Sequence, residues 1–375
     1  MNKKFFASLM AMVMVFGLAA CGGSSEPAAE GDTAEGGAGG KIGVSMPTQS
    51  LQRWNQDGSN MKAELEAEGY EVDLQYAGDN DIPTQVSQIE NMIAGGCEVL
   101  VVAAIDGSSL TTALQGAAEK GIPVIAYDRL IMDSEAVSYY ATFDNYKVGQ
   151  MQGQYIVDAL DLENAEGPFN IELVTGAPDD NNVNFFFGGA MDVLQPYIDS
   201  GKLVVPSGQT EKAQCATANW STEEAQKRFE NIISSVGYGP NGVKLDAVLC
   251  SNDSTSYGVQ NALQAAGYTA DNMPIITGQD CDKPNVKNIV SGLQSMSVFK
   301  DTRTLAEKVV GMVDAIMKGT EPEINDTETY DNGTETYDNG TGVIPSYLCD
   351  PVVVTVDNYK EMLIDSGYYT EADIA

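Results

Sequence analysis

The stretch EVLVVAAIDGSSLTTALQGAAEKGIPVIAYDRL, residues 98–130, decides the fold class. Two apolar runs, 98–104 and 122–127, have the length and composition of buried strands, and the amphipathic segment 109–120 between them is typical of a helix. A strand, a helix and a second strand in this order form a unit of two parallel strands, because the helix carries the chain back to the same edge of the sheet. The sequence therefore predicts an α/β protein built on a parallel sheet.

The same alternation of strands and helices continues on both sides of this unit and predicts two α/β units of similar plan. The further predicted strands are 41–46, 71–76, 137–142, 169–175, 202–206, 245–250, 273–277 and 295–299. The further predicted helices are 56–68, 82–94, 182–197, 222–236, 254–266 and 284–292. A long helix over 301–318 and a last strand over 349–356 remain, and such elements fit segments that cross back between two lobes.

The N-terminus has the pattern of a secretory signal: two lysines, an apolar run over residues 5–18 and small residues before Cys21. The LAAC ending resembles the bacterial lipobox, which implies a signal peptide over 1–20 and lipidation of the Cys21 sulfur. The alternative is an ordinary cleaved signal with an incidental cysteine. Residues 21–40 have no aromatic or branched apolar side chain, so we expect a flexible acidic tether there.

Composition argues for a binding protein rather than an enzyme. The chain has 54 Asp and Glu against 20 Lys and Arg, which disfavours nucleic acid and anionic membrane surfaces as partners. It has no histidine, which removes the usual acid–base group and the commonest metal ligand. No P-loop or G-x-S-x-G motif occurs. We therefore expect no catalytic residues, no cofactor and no resident metal.

Five cysteines follow Cys21, and an odd number cannot all form disulfides. Cys97 and Cys250 lie in or beside predicted strands and are expected to be small buried apolar residues. A disulfide among the remaining three stays open, because the sequence carries no geometry for it. Those three residues are Cys215, Cys281 and Cys349.

A tandem copy of seven residues, TETYDNG, occurs at 327–333 and again at 334–340. Each copy contains an Asn-Gly pair, which is a turn signal. The repeat is therefore predicted to lengthen a surface loop or hairpin.

Polar residues follow nearly every predicted strand, where ligands bind in open α/β sheets. These residues are Arg53 and Trp54, Asp106, Asp128 and Arg129, Asp144 and Asn145, the DDNN run 179–182, Asn252 and Asp253, Asp280, and Lys300. Asp and Asn in such places also serve as helix N-caps, and Asp106, Asp179 and Asp253 fit that alternative. Capping does not explain three long cations, Arg53, Arg129 and Lys300, at the same rim. They need acidic partners or a ligand rich in oxygen atoms.

The pair Asp128–Arg129 poses a geometric problem. Side chains alternate along a strand, so the two would point to opposite faces if the strand ran through them. We therefore expect the strand to end near Tyr127, or else only one of the two residues contacts a ligand.

Seven motifs in one order carry a resemblance to a known family. They are SMPTQSLQRWNQDG, VVAAIDGSSL, VIAYDRLI, YYATFDNYKVG, SNDSTSYGV, ITGQDCD and VFKDTRTLA. The chain from about residue 41 to 375 resembles the xylose-binding and multiple-monosaccharide-binding (ChvE-type) branch of the type I periplasmic-binding-protein superfamily, whose members serve ABC importers. It departs from that pattern at the TETYDNG repeat and in the stretch TEKAQCATANWSTEEA.

The resemblance implies two doubly wound parallel-sheet lobes joined by a three-segment hinge near residues 144, 300 and 345. The N-terminal lobe would comprise 41–144 and 301–344, and the C-terminal lobe 145–300 and 345–375. The implied sugar-binding residues are Arg53, Asp128, Arg129 and Asn145 in the first lobe and Asn181 or Asn182, Trp220, Asn252 or Asp253, Asp280 and Lys300 in the second. Trp54 is a further aromatic candidate. Both tryptophans have ordinary core packing as the alternative.

The implied function is binding of one monosaccharide, an aldose such as xylose, glucose, galactose or arabinose, outside the cytoplasm. Expected partners are that sugar, the transmembrane subunits of an ABC permease, the membrane through the Cys21 lipid and, in a second reading, a membrane sugar sensor. We expect a monomer. A surface glycosidase is a third reading, and a DNA-binding regulator of this fold would need a helix-turn-helix where the signal peptide stands.

Overall fold

The computed structural model of the protein describes residues 39–326 and 337–375. The predicted signal peptide, Cys21 and nearly all of the predicted tether lie outside the described residues, as does the first TETYDNG copy. Among the helices of the described part, none combines the length and the apolar character that a membrane span requires.

A six-stranded parallel sheet organises the first half of the chain, in the strand order β11-β5-β4-β3-β1-β2. Its elements up to the first crossing are β1 (Lys41–Met46), α1 (Gln52–Ala67), β2 (Glu71–Tyr76), α2 (Ile82–Ala94), β3 (Val99–Val102), α3 (Thr111–Lys120), β4 (Val124–Tyr127) and β5 (Val137–Phe143). Leu100 and Val102 of β3 pack in one apolar core, whereas Val99 and Val101 pack in the core on the opposite face. The strands are therefore buried on both faces, as the continuous apolar runs predict.

A second parallel sheet, in the order β7-β6-β8-β9, organises the next part of the chain. Its elements are α4 (Asn145–Ala159), β6 (Phe169–Val174), α5 (Asn182–Asp199), β7 (Leu203–Val204), α6 (Lys212–Cys215), a 3₁₀ turn (Ala218–Trp220), α7 (Thr222–Val236), β8 (Ala247–Cys250), α8 (Asp253–Ala265), β9 (Ile275–Ile276), α9 (Lys283–Val290) and β10 (Ser297–Phe299). The chain then returns to the first sheet through α10 (Thr302–Met317) and β11 (Ser346–Cys349). It ends with β12 (Val352–Val354), a π-helical turn (Lys360–Asp365) and α11 (Glu371–Ile374).

We call the six-stranded sheet with its helices the N-terminal lobe. The four-stranded sheet and the two-stranded sheet of β10 and β12, with their helices, form the C-terminal lobe. The last predicted strand, 349–356, is in fact two strands. β11 pairs with β5 in the N-terminal lobe, and β12 pairs antiparallel with β10 in the C-terminal lobe. Pro351 stands between them and donates no backbone hydrogen bond. The third crossing therefore follows Cys349, not residue 345.

Two long helices differ clearly from the prediction, and the short helices α6 and α11 were not predicted. α1 begins at Gln52 and not at 56, so its first turn carries Arg53 and Trp54. α4 was not predicted, although Asp144 caps it by accepting a hydrogen bond from the Lys147 amide. Its two glycines allow close packing on α5: a Cβ at Gly149 would lie 2.1 Å from a backbone oxygen of that helix. Tertiary packing thus outweighs the low helix propensity of glycine here.

All five cysteines of the described chain are free and buried. Cys97 and Cys250 are 2 % and 0 % exposed, as predicted for small core residues. Cys215, Cys281 and Cys349 do not form the disulfide that the sequence left open.

Candidate functional site

The carboxyl ends of the strands of both lobes meet at a cavity with an empty volume of about 440 Å³. Nine of the twelve predicted site residues line it: Arg53, Trp54, Asp128, Arg129, Asn182, Trp220, Asn252, Asp280 and Lys300. Six further lining residues were not predicted: Leu51, Asp180, Phe186, Ser254, Gln279 and Asp282. Both lobes contribute charged and aromatic side chains, so the site exists only where the lobes face each other.

β4 ends at Tyr127, and the turn that follows it explains how Asp128 and Arg129 can both face the cavity. Asp128 takes a left-handed backbone conformation with φ of 59°, which ends the alternation of the strand. Its carbonyl oxygen accepts hydrogen bonds from the Tyr140 hydroxyl, the Thr142 hydroxyl and the Asn182 side-chain amide, at 2.8, 3.0 and 2.7 Å. These three donors hold the turn, and both charged side chains line the cavity.

Arg53 connects three carboxylates. Its Nε donates to Asp57 one helical turn away at 3.0 Å, its Nη2 pairs with Asp128, and its Nη1 donates to Asp280 of the other lobe at 3.2 Å. Burial alone would lower the pKa of Arg53, but the three carboxylates outweigh burial and raise it well above its usual value. Burial raises the pKa of Asp57, which also accepts from the Tyr127 hydroxyl, to about 6.

Arg129 is fixed from two sides. Its Nη1 donates to the carbonyl oxygens of Ala104 and Ile105, just beyond β3, at 3.0 and 3.2 Å. Its Nε forms an ion pair with Asp180 of the C-terminal lobe at 2.9 Å, and its guanidinium lies over the Trp54 ring, 5.1 Å from the centroid. Arg129 therefore contacts the N-terminal lobe through uncharged groups and the C-terminal lobe through a charge.

Lys300 and Asp280 form the centre of the C-terminal side. Their side chains are 2.9 Å apart, and Lys300 also lies 4.0 Å from Asp128 across the cleft. Burial opposes ionisation of Asp128, but the charges of Arg53, Lys300 and Arg129 are stronger and hold its pKa below the ordinary value. Asp128 is consequently an ionised acceptor surrounded by cations.

Two indole rings provide the aromatic part of the lining. The Trp220 indole nitrogen donates to Asp180 at 3.1 Å, and its ring packs against Gly176, where a Cβ would lie 2.1 Å away. Trp54 lies on the opposite lobe and is 3 % exposed. Flat apolar rings beside fixed charges suit a ligand that has both C–H faces and hydroxyls.

Three predicted site residues lie outside the lining. Asn145, the first residue of α4, is buried and donates to the hydroxyls of Tyr140 and Thr142 at 3.5 and 3.4 Å. Asn181 precedes α5 and accepts from the Asn184 side chain, so its neighbour Asn182 is the one that lines the cavity. Asp253 is buried behind the site, and Asn252 takes the lining position.

Asp253 supports the loop that carries Asp280. Its carboxylate accepts from Gln294, Ser297 and the backbone amide of Asp282, each at 2.9 Å. Burial and the charge of Asp282 raise the pKa of Asp253 well above its usual value. Burial and the charge of Asp280 raise the pKa of Asp282 to about 7.

This arrangement suits binding of a neutral, hydroxyl-rich molecule. Carboxylates accept hydroxyl protons while guanidinium and ammonium groups donate to hydroxyl oxygens, so adjacent hydroxyls satisfy both kinds of group. Within residues 39–326 and 337–375, no cluster of three or more His, Cys, Asp or Glu side chains has the arrangement of a metal site. Fold and site together define a two-lobe protein that binds a small ligand in the cleft between its lobes.

Comparison with known proteins agrees with this class. The profile of the periplasmic binding protein domain matches residues 42–321, and the chain belongs to that family. It is 51% identical over 333 residues to the multiple sugar-binding periplasmic protein SbpA of Azospirillum brasilense, covering 88% of this chain and 90% of the relative. It is 36% identical to the D-xylose-binding periplasmic protein of Escherichia coli K12, covering 89% and 92%.

A solved structure supports the fold. An ABC transporter solute-binding protein from Clostridium phytofermentans, determined with bound β-D-glucose, superimposes with a TM-score of 0.84. It shares 63% sequence identity with this chain and covers 89% of this chain and 100% of its own. The type I periplasmic-binding-protein fold expected from the motifs is thereby confirmed.

Proposed function

We propose that the protein is the extracytoplasmic monosaccharide-binding subunit of an ABC sugar importer, which closes around one aldose and delivers it to the permease. The observation that carries the proposal is the cavity lining, in which Arg53, Arg129 and Lys300 face Asp128, Asp180 and Asp280 between two indole rings. Such a set offers both donors and acceptors to the adjacent hydroxyls of a pyranose. A sugar that lacks one hydroxyl would leave a buried polar group unpaired, which is the physical basis of selectivity.

The relatives support the same function. Sugars appear in the names of both relatives and in the glucose complex, and all three cover most of this chain. Their periplasmic location supports a position outside the cytoplasm. We further propose attachment to the outer face of the membrane through a lipid on Cys21, on the basis of the LAAC motif alone.

Closure by hinge bending follows from the crossings after Phe143, Phe299 and Cys349. Three pairs join the lobes across the cleft: Arg53–Asp280, Arg129–Asp180 and Lys300–Asp128. Opening separates these pairs and exposes them to water. The hydroxyls of a bound sugar would form hydrogen bonds with the charged groups that lose water when the lobes close.

A thermal-shift screen across pentoses and hexoses, with incubation of the same sugars and their glycosides, tests the proposal. We expect stabilisation by a subset of aldoses and complete recovery of every compound. Formation of any product would refute a pure binding role, and the absence of stabilisation by every aldose would refute the ligand class.

A further inference from the structure

A second cavity adjoins the site and is open to water. It shares four lining residues with the site: Leu51, Trp54, Arg129 and Trp220. The volume of the outer cavity, its open mouth included, is about 1170 Å³, against about 440 Å³ for the inner site. Small-molecule pockets span roughly 300 to 1,000 Å³, so the outer cavity alone is large enough for a ligand group.

The wall from the N-terminal lobe is a fixed set of polar groups. The hydroxyls of Thr48 and Ser50 each donate to one oxygen of Asp79 at 2.6 Å. The Ser50 amide donates in turn to the Thr48 hydroxyl at 3.0 Å. These bonds hold the pKa of Asp79 below its ordinary value, so the wall presents an ionised acceptor.

The wall from the C-terminal lobe is built on a constrained backbone. Asn219 and Trp220 both take left-handed conformations, with φ of 56° and 55°. Such conformations are costly for side chains other than glycine and cluster at functional sites. The turn sets the Trp220 ring between the two cavities and leads into Ser221 and Glu223, whose side chains are 2.9 Å apart.

The charges of the outer cavity restrict its ligand. Asp79 and Glu223 approach it from opposite lobes, and Asp179 also lines it. The cation Arg129, the one Lys or Arg among its lining residues, is already paired with Asp180. An anionic group would meet three carboxylates, whereas neutral hydroxyls can donate to them.

We propose that the outer cavity binds the second ring of a neutral disaccharide whose first ring occupies the inner site. The inference rests on the proposed sugar-binding function and extends its substrate class from monosaccharides to neutral two-ring sugars. Trp54 and Trp220 border both cavities, so both indoles lie at the junction where the two sugar rings would meet. The polar walls supply acceptors for the hydroxyls at the outer ring's edge.

Calorimetric titration of the purified protein with glucose, xylose, cellobiose, xylobiose and maltose tests this proposal. We expect at least one disaccharide to bind with a Kd within about tenfold of that of its monosaccharide. Binding of glucose or xylose without any disaccharide would overturn the two-ring proposal and leave the proposed function intact. Failure of all five sugars would overturn the two-ring proposal, and the proposed function would fall with it only if the thermal-shift screen also finds no stabilising aldose.

A variant pair tests whether the outer cavity is the place of binding. Ser50 is exposed and lines only the outer cavity, so Ser50→Trp should fill it without reaching the inner site. We expect the disaccharide Kd to rise about tenfold and the glucose Kd to change less than about twofold. The control Ser59→Trp, at an exposed serine that lines neither cavity, should change neither Kd by more than about twofold. Equal weakening of both sugars by Ser50→Trp would contradict the proposal.

Discussion

The two halves of the site are built differently. On the N-terminal side, Arg53 and Arg129 are anchored within their own lobe, by Asp57 and Asp128 and by two backbone carbonyls. On the C-terminal side, Asp280 lies in a loop with φ of 94° at that residue, and Trp220 lies in another left-handed turn. The N-terminal half therefore supplies two cations that keep partners in their own lobe, and the C-terminal half supplies the acids Asp180 and Asp280 that pair with them across the cleft.

The largest effect should come from breaking the anchored half. Arg53→Ala leaves Asp57 buried without its cation and removes one of the three cations around Asp128, and removing one partner of a buried pair costs about 3 to 5 kcal/mol. We expect the free energy of unfolding of the ligand-free protein to fall by that amount in urea denaturation. Arg53→Lys, which keeps the charge but not the three-way geometry, should lose less. An unchanged unfolding midpoint in Arg53→Ala would show that the N-terminal half is not held by this network.

Sugar affinity tests the ion pairs that join the two halves of the site across the cleft. Asp280→Ala removes the partner of both Arg53 and Lys300, and Arg129→Ala removes the partner of Asp180. Each should weaken sugar binding by about 2 to 4 kcal/mol, the scale for truncating one member of a buried charged network. Titration calorimetry that shows wild-type affinity in both variants would refute the site.

The pH dependence of stability tests one acid of the C-terminal half, Asp282. The pKa of Asp282 is raised from 3.8 to about 7, so the folded protein keeps a proton that the unfolded chain releases above about pH 4. Wild-type stability should therefore fall relative to Asp282→Asn as the pH rises from about 4 to about 7. We expect Asp282→Asn to be more stable at pH 8 by about 2 kcal/mol, a value discounted because the residue is partly exposed.

Urea denaturation at pH 5 and pH 8 measures this difference, and the exposed Asp365→Asn serves as the control. The control should follow the wild type at both values. A constant difference between Asp282→Asn and the wild type across this range would contradict the raised pKa.

The smallest effects on sugar affinity are expected for Asn181 and Asn182, two neighbouring residues at the start of α5. Asn182 lines the cavity and donates to the Asp128 carbonyl, so Asn182→Ala should weaken sugar binding by about 1 kcal/mol. Asn181 lies outside the lining, and Asn181→Ala should change binding by less than about 0.5 kcal/mol. Equal losses in calorimetry would show that the lining has been assigned wrongly between them.

Much of the site was predictable because parallel strands place their carboxyl ends at one edge. Asp128 follows an apolar run directly and Asp280 follows one after three residues, and the structure places both in the cavity. Phe186 was not predictable, because an apolar residue within α5 has the same pattern as a core residue. Asp180 is one of four polar residues in the DDNN run 179–182. Which of the four line the cavity depends on where α5 begins, and the sequence does not show that this is at Asn182. Asn145 was misplaced because α4, which buries it, was not predicted.

Titration calorimetry of the purified protein with D-xylose, D-glucose, D-galactose and L-arabinose tests whether both halves of the site enclose one sugar molecule. We expect saturable binding of at least one of them at one sugar per chain, with the sugar recovered unchanged by chromatography. The same titration on the Asp280→Ala, Arg129→Ala double variant should show no saturation at wild-type saturating concentrations. Absence of binding to all four sugars by the wild type, or full binding by the double variant, would show that the two halves do not enclose a sugar.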